Sequence, residues 1–480
     1  MPGERKNFIA VAVAAAVMFA IFLLPLPQPL VTPEDLVELT ADGRVALAVL
    51  AFVIILWLTE ALPFPVTALL GLLLAYIFGV APLEQVVSYG FGSTVVIFFI
   101  GVLALSSALT RSGLADRVTS IIISRIGFQP RKIVGTFMAL GALLSMWIVN
   151  MSVAAILLPM ATAILNRAGH KPLESNFGRA LLIAVAWGPA IGGITTPVGN
   201  GANIVALGYL RELAGIPINF LTWMVVGVPA ALLILPAAYL ILVRVFPPED
   251  IPADIAISAR EIGAAAPPKL AASEWKALVV FGLAVLFWLG DPLLLHLSGI
   301  SIPIEAVALG AAVALFLPGM NIFTWPEAQR DIDWGGIILI AAGLSLGMII
   351  FETGAARWLA MLTFSPLGTL APFLRIFLAV LVVEGLKVFF SSNTVTGVIL
   401  IPMVIALAAT FGLDPWYLAG PVAIATSMAF ILVTSSPTNV IPYAAGYFTI
   451  KDFAKAGIFL TLVVPFCITA AFLIFAPLVW

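Results

Sequence analysis

The sequence has 480 residues, of which 62% are hydrophobic and only 10% are charged. A soluble domain carries about 25% charged residues, and burial rises too slowly with chain length for a water-exposed fold to hide this much apolar surface. The composition therefore excludes a soluble protein and predicts one embedded in lipid. The formal net charge of −2 argues against a nucleic-acid partner.

Apolar runs long enough to span a bilayer recur along the whole chain. The first follows Arg5 and Lys6, and because many more come after it we interpret it as a membrane helix and not as a cleaved signal peptide. The predicted membrane helices are residues 7–27, 44–62, 64–80, 92–110, 180–210, 221–246, 274–292, 302–318, 335–352, 416–446 and 455–478. Two longer, interrupted stretches, residues 133–165 and 373–410, are each expected to form a re-entrant hairpin. The predicted fold is thus an all-α polytopic membrane protein with about 11 transmembrane helices and two hairpins.

Basic residues in short loops predict the orientation of the chain in the membrane. Arg and Lys cluster before the first helix, in residues 111–132 and in residues 167–179, whereas residues 34–42 carry four acidic side chains. This distribution predicts a multi-pass protein of the cell inner (plasma) membrane with a cytoplasmic N-terminus and an external C-terminus. Residues 247–273, rich in Pro and Ala, are then a cytoplasmic linker, which we interpret as a passive connector while a regulatory role stays open.

The halves on either side of the linker repeat one another. Residues 145–152 read Ser-Met-Trp-Ile-Val-Asn-Met-Ser, residues 390–396 read Phe-Ser-Ser-Asn-Thr-Val-Thr, and in each half the Asn lies nine residues before the Pro of a Pro-Met pair. Downstream, Thr-Thr-Pro at residues 195–197 is matched by Ser-Ser-Pro at residues 435–437. Because the predicted topology brings the two hairpins in from opposite sides, the repeats are inverted.

Each predicted repeat has the same order of parts. In the first, residues 1–246, scaffold helices (7–125) precede a hairpin and a broken helix (133–213). In the second, residues 274–480, scaffold helices (274–365) precede a hairpin and a broken helix (373–446) and a last helix (455–478).

Interrupted helices at membrane depth are suited to binding ions. A broken helix leaves N–H groups without partners at one end, which attract anions, and C=O groups at the other, which can hold a cation such as Na⁺. Proline causes the break, and Ser, Thr and Asn add neutral oxygen ligands. One such motif is commonly a kink or a self-bonded hydroxyl, whereas two matched copies on inverted hairpins predict a secondary transporter with its site near the bilayer midplane.

With these motifs the chain resembles the divalent anion/sodium symporter family, the di- and tricarboxylate transporters. Residues 392–394, Ser-Asn-Thr, match that family's hairpin signature, and Thr-Pro at 196–197 and Ser-Pro at 436–437 match its helix breaks. The resemblance covers nearly the whole chain. It implies a homodimer in which each protomer has a scaffold domain and a moving transport domain that work by an elevator motion. It also implies that the hairpin tips contact substrate carboxylates and that two sodium ions bind beside the hairpins.

The sequence departs from that family's pattern at both hairpins. Residues 149–151 read Val-Asn-Met instead of Ser-Asn-Thr, which removes two hydroxyls and favours a monocarboxylate, or an anion with one apolar end, over a symmetrically bound dicarboxylate. In the second hairpin, Lys387 lies six residues before Asn393. A charge at membrane depth is costly, and three interpretations stay open: pairing with Glu384, snorkelling to the interface, and binding substrate or replacing a sodium ion.

These observations predict a secondary active transporter of small organic anions, with no enzymatic activity and no organic cofactor. Predicted to bind the substrate are Asn150, Thr196, Pro197, Lys387, Ser392, Asn393, Thr394, Ser436 and Pro437. Predicted to bind Na⁺ are Ser145, Asn150 and Thr195 in a first site and Ser391, Asn393 and Ser435 in a second. Anion exchange, proton-coupled transport of a monocarboxylate or inorganic oxyanion, and a passive anion channel stay open as alternatives.

Overall fold

The structure, a computed structural model, describes residues 2–31, 36–124, 129–249, 269–322 and 324–479. Most of the predicted linker at 247–273 therefore lies outside the described residues. Strands β1 (Leu30–Val31) and β2 (Leu36–Val37) form a small antiparallel pair, and the other regular elements of the described chain are helices.

The helices of the first half run in the following order. They are α1 (Pro2–Leu23), α2 (Ala41–Thr59), α3 (Phe64–Ile77), α4 (Leu83–Phe91), α5 (Thr94–Arg111), α6 (Leu114–Ser124), α7 (Pro130–Ser145), α8 (Asn150–Arg167), α9 (Asn176–Gly192), α10 (Gly201–Ala214) and α11 (Phe220–Val245).

The second half continues in the same way. Its helices are α12 (Ala272–Ser298), α13 (Ile304–Ala314), α14 (Trp325–Asp331), α15 (Trp334–Glu352), α16 (Ala355–Gly368), α17 (Pro372–Lys387), α18 (Asn393–Thr410), α19 (Trp416–Ala425), α20 (Pro437–Tyr443) and α21 (Ile450–Phe475). Short 3₁₀ segments lie at Val433–Ser435 and Ala476–Leu478.

The predicted membrane fold is confirmed. In the described part of the chain, eight helices are long and apolar enough to cross a membrane, and α3, α13 and α19 are shorter apolar helices. Both predicted hairpins are present: α7 and α8 are separated by residues 146–149, and α17 and α18 by residues 388–392. Both predicted broken helices are interrupted, between α9 and α10 and between α19 and α20.

Four short helices, α4, α6, α14 and α16, were not predicted as separate elements. Each has at most 14 residues, less than a membrane span requires. Helix α14 shows the local cause of such an element, because the Glu327 carboxylate accepts hydrogen bonds from the backbone N–H of Thr324 at 2.7 Å and from its hydroxyl at 2.9 Å. This is a capping arrangement that starts a helix without any hydrophobic run.

The chain forms two compact units, each with segments from both halves. The first unit contains residues 1–96, 204–218 and 333–426, and the second contains residues 97–203, 219–332 and 427–480. The compact units therefore do not coincide with the predicted repeats.

In the first unit, α15 has a buried stretch from Ile337 to Ile350 and packs against α3, α4 and α18. Tyr209 of α10 donates a hydrogen bond to Gly343 O of α15 at 2.7 Å. At the outside of this unit α1 is mostly uncovered, since only 11% of its apolar window is buried.

In the second unit, α9 is the central element and is buried from Phe177 to Gly192. It packs most closely against α7, where two glycines face the α7 backbone. A Cβ at Gly188 would lie 2.5 Å from Met138 O, and one at Gly192 would lie 2.1 Å from Ala142 O. Small residues let membrane helices approach this closely, and the contact sets the position of the first hairpin against the first break.

Candidate functional site

The tip of the first hairpin lacks a side-chain cap. Helix α8 begins at Asn150 with Val149 in the N-cap position, and no side chain bonds its first turn. The Val149 N–H donates to the Ser106 hydroxyl at 3.3 Å. The substitution of Val for the family's Ser, noted in the sequence, therefore removes a hydroxyl exactly where a helix N-terminus would use one.

The Asn150 amide lies among three acceptors. Asn150 is 5% exposed, and in the amide orientation that satisfies its surroundings its two N–H groups are shared among the Ser145 hydroxyl, Gly199 O at 3.0 Å and Pro189 O at 3.1 Å. Two glycines allow this approach. A Cβ at Gly193 would lie 2.2 Å from the Asn150 amide, and one at Gly199 would lie 2.6 Å from Ser145 O. Asn150 thus joins the hairpin tip to α9 and to the first break.

The hydroxyls of Thr195 and Thr196, in the first break, form hydrogen bonds within the second unit. Thr196 donates to Met146 O at the hairpin tip and accepts from the Val198 N–H at 3.2 Å. Thr195 donates to Gly192 O in its own turn at 2.7 Å. Of the three residues predicted to form the first cation site, Ser145 and Asn150 lie together in the structure. Gly199 of the first break also lies beside them, whereas the Thr195 hydroxyl hydrogen-bonds elsewhere.

In each broken helix, one asparagine side chain forms hydrogen bonds across the break. Asn203, the third residue of α10, donates to Gly193 O and Thr196 O, both at 2.8 Å. Asn439, the third residue of α20, donates to Ala429 O at 2.7 Å. The bonds to Gly193 and Ala429 each reach ten residues back across the break, and the Oδ1 atoms of both asparagines are buried without a partner among the described residues.

This shared geometry changes the register of the repeat. Matching Asn203 to Asn439 places Ser436-Pro437 opposite residues 200–201, four positions after the Thr-Pro at 196–197 that the sequence pairs with it. Thr-Pro and Ser-Pro resemble each other only over these few residues. The position at which the next helix begins gives a different match between the residues of the two halves.

The two breaks also meet directly within the second unit. The Asn200 amide donates to the Ser427 hydroxyl at 2.9 Å, while its oxygen accepts from the Ala202 N–H at 3.0 Å. Asn200 and Ser427 are buried. Sequence reasoning assigned no role to Asn200 or to Ser427. The available signal was a polar side chain within each break, between apolar neighbours.

The tip of the second hairpin has the cap that the first one lacks. The Ser392 hydroxyl accepts a hydrogen bond from the Val395 N–H at 3.3 Å, and α18 begins at Asn393. Ser391, Asn393 and Thr394 are half-buried. The Asn393 Oδ1 has no hydrogen-bond partner among the described residues. Asn393 therefore offers a free amide oxygen where Asn150 is held by three bonds.

Lys387 and Glu384 are both buried on α17. Their exposed fractions are 1% and 2%, and the Lys387 Nζ donates to Phe390 O at 3.1 Å. Neither carboxylate oxygen of Glu384 has a hydrogen-bond partner in the described chain. Glu384 therefore does not hydrogen-bond Lys387 in the described chain. The three interpretations of Lys387 stay open.

The remaining predicted residues lie around the second break. Ser435 and Ser436 are buried between the 3₁₀ segment and α20, and Pro437 is the exposed first residue of α20. Residues 145–150, 195–197 and 435–437 belong to the second unit, and residues 387–394 belong to the first. The second cation set, Ser391, Asn393 and Ser435, is thus drawn from both units, and its assembly into one site stays a prediction.

Comparison with known proteins places the chain among transporters. Residues 54–396 match the protein family described as citrate transporter, CitMHS. The sequence is 29% identical over 451 residues to the sodium-dependent dicarboxylate transporter SdcS of Staphylococcus aureus, covering 90% of this chain and 85% of that protein.

Two solved structures share the fold. They are the YdaH transporter of Alcanivorax borkumensis (TM-score 0.58, 98% of this chain and 97% of that chain) and MtrF of Neisseria gonorrhoeae (TM-score 0.59, 97% and 94%), each at 13% sequence identity. At that identity the likeness concerns the architecture alone.

Proposed function

Because the chain belongs to the citrate transporter family, we propose that it is a secondary active transporter that moves small carboxylate anions together with a cation. It is a multi-pass membrane transporter and not an enzyme. The family match carries the proposal, and the similarity to a protein named a sodium-dependent dicarboxylate transporter supports Na⁺ as the coupling ion and a dicarboxylate among the substrates.

The oxygens around Asn150 support a first Na⁺ site. If the amide turns over, its Oδ1 joins the Ser145 hydroxyl, Gly199 O and Pro189 O around one point. Neutral oxygen ligands of this kind suit a hard cation. Without the ion, the amide nitrogen donates hydrogen bonds to the same oxygens. Na⁺ binding would therefore replace these hydrogen bonds by metal–oxygen contacts without exposing the hairpin tip.

The N-terminus of α18 supports a carboxylate site. The hydroxyls of Ser391, Ser392 and Thr394 and the amide N–H groups of Asn393 lie at the start of this helix, where backbone N–H groups also favour an anion. At the other tip, Met151 is 45% exposed and presents an apolar surface. One polar and one apolar tip support an anion with a single strongly bound carboxylate, while the similarity to SdcS favours a dicarboxylate.

Lys387 supports a distinct coupling stoichiometry. An ammonium buried beside the second hairpin can replace one sodium ion electrostatically. If it does, the transporter uses fewer sodium ions per cycle than two complete sites would require, and exchange of one anion for another becomes accessible. We further propose the elevator motion, the homodimer and the orientation with a cytoplasmic N-terminus on the basis of the family resemblance.

Counterflow in proteoliposomes tests the function. Vesicles loaded with unlabelled succinate, citrate or a straight-chain monocarboxylate are diluted into a trace of labelled anion, with either Na⁺ or choline as the cation. We expect transient accumulation of the label with at least one carboxylate, and more of it with Na⁺. Uptake without any overshoot would identify a passive channel, and no carboxylate-specific uptake would reject the proposal.

A further inference from the structure

A cavity lies in the first unit, away from the hairpins. It has a volume of about 390 Å³ and is formed by the end of α1 and the residues after it, by α2 and by α16. Its walls are apolar, with Leu47 and Ile54 from α2 and Leu359 from α16. Leu24, also in its lining, is 58% exposed, so the cavity is accessible beside the end of α1.

Two hydrogen-bond donors interrupt this apolar lining. Arg44 uses one guanidinium nitrogen, Nη1, to bond Leu24 O at 2.7 Å, but its Nε is buried without a partner among the described residues. The indole Nε1 of Trp358 is likewise buried and has no partner in the described chain. Buried donors are rarely left unsatisfied, because the group has lost its bonds to water without gaining others.

The apolar walls of the cavity and its two hydrogen-bond donors indicate the chemical class of the ligand. A positive guanidinium beside an apolar cavity matches an anionic head joined to a hydrocarbon chain, and guanidinium groups bind phosphate oxygens through charge-assisted hydrogen bonds. A volume near 390 Å³ falls within the range of about 300–1,000 Å³ that is usual for small-molecule sites. A small polycarboxylate would fit poorly, since most of its oxygens would face apolar walls.

We propose that this cavity binds one acyl chain of an anionic phospholipid whose phosphate group is bound by Arg44 and Trp358. The lipid fills the space between α1 and the rest of the unit and satisfies both donors. It is a structural ligand that stabilises the weakly covered α1, of which only 11% of the apolar window is buried. The site is separate from the hairpin tips and does not depend on the transported substrate.

The test combines native mass spectrometry with thermal stability of the delipidated, purified full-length protein. The probes are dioleoylphosphatidylglycerol, dioleoylphosphatidylcholine and inorganic phosphate. The variants are Arg44→Gln and Trp358→Phe, which removes the indole N–H together with part of the ring's volume. The control is Arg5→Gln, which removes the same charge from an exposed position at the start of α1.

We expect phosphatidylglycerol to remain bound and to raise the melting temperature of the wild type and of Arg5→Gln. Binding should be about tenfold weaker in Arg44→Gln, as expected for the loss of a charged hydrogen bond, and measurably weaker in Trp358→Phe. An equal effect of phosphatidylcholine, or a full effect of inorganic phosphate alone, would overturn the proposal. Unchanged retention of phosphatidylglycerol by Trp358→Phe would also overturn the proposal. This second variant keeps the test informative even if Arg44→Gln does not fold.

Discussion

Asn150 and Asn393 occupy matching positions at the two hairpin tips but differ in their hydrogen bonding. Asn150 makes three hydrogen bonds within its unit, whereas the Asn393 oxygen has no partner among the described residues. We therefore expect Asn150→Ala to lower stability by about 1–3 kcal/mol, because buried acceptors lose their donor. Asn393→Ala should leave the melting temperature nearly unchanged but weaken the stabilisation produced by a bound carboxylate. Thermal shift with and without substrate separates the two, and equal destabilisation by both variants would contradict the distinction.

The close approach around Asn150 predicts a steric effect at Gly193. A Cβ there would lie 2.2 Å from the Asn150 amide, so Gly193→Ala should displace the amide and cost about 1–3 kcal/mol of stability. Na⁺-dependent uptake should fall with it. Gly282→Ala is the matched control, because a Cβ at Gly282 on α12 meets no atom within 4 Å. Thermal stability and uptake are measured for both, and a Gly193→Ala protein that behaves like Gly282→Ala would refute this account of the tip.

Glu384 can be tested by removing its charge. Its two oxygens lack hydrogen-bond partners in the described chain, so Glu384→Gln should keep or raise the melting temperature, because no hydrogen bond of the carboxyl group is lost. The control is Glu274→Gln, since Glu274 is buried and bonds the Arg117 guanidinium at 2.7 Å. Breaking that ion pair should cost about 3–5 kcal/mol. A comparable loss in Glu384→Gln would show that Glu384 supports Lys387 after all.

At the scale of elements, each broken helix depends on one asparagine. Asn203 makes two bonds across its break and Asn439 makes one, so Asn203→Ala should lower stability more, at about 1 kcal/mol for each bond. Asn203→Asp and Asn439→Asp keep the size but place a carboxylate against buried carbonyl oxygens, so they should destabilise more than the alanine variants. Limited proteolysis at residues 193–200 and 426–436 would locate the loosening, and cleavage elsewhere would argue against a role in the breaks.

The sequence predicted which elements exist better than it predicted how they meet. Hairpins and breaks were found because proline and polar residues interrupt runs that otherwise satisfy the length of a bilayer span. The contact of Asn150 with Gly199 was not predicted, since it joins residues 49 positions apart through glycines whose role appears only in three dimensions. The asparagine bonds give a register of the breaks that differs by four residues from the one that the Thr-Pro and Ser-Pro motifs give, because a local likeness carries no information about where the next helix begins.

At the scale of the molecule, the two compact units combine segments from both repeats. The chain enters the first unit, crosses to the second and returns more than once, with one crossing near Asn203 and another near Ser427, at the two breaks. A break is a natural place for such a crossing, because its backbone is not constrained by helical hydrogen bonds.

If the repeats are inverted, as the sequence predicts, the two hairpin tips are expected to share one substrate, and cross-linking can test this expectation. In a Cys467→Ser background, which removes the single cysteine of the chain, Met151→Cys and Thr394→Cys place one thiol at each tip. A protease site inserted in residues 247–273 separates the halves on a denaturing gel unless a short bifunctional thiol reagent has joined them. We expect a cross-link that slows when a transported carboxylate is present, because substrate would occupy the space between the thiols. Pairing Met151→Cys with Leu286→Cys on α12, which is 64% exposed, provides the control for random collision. If the tip pair reacts no faster than this control in any condition, the two hairpin tips do not form a common pocket, and the proposal of a shared substrate site is rejected.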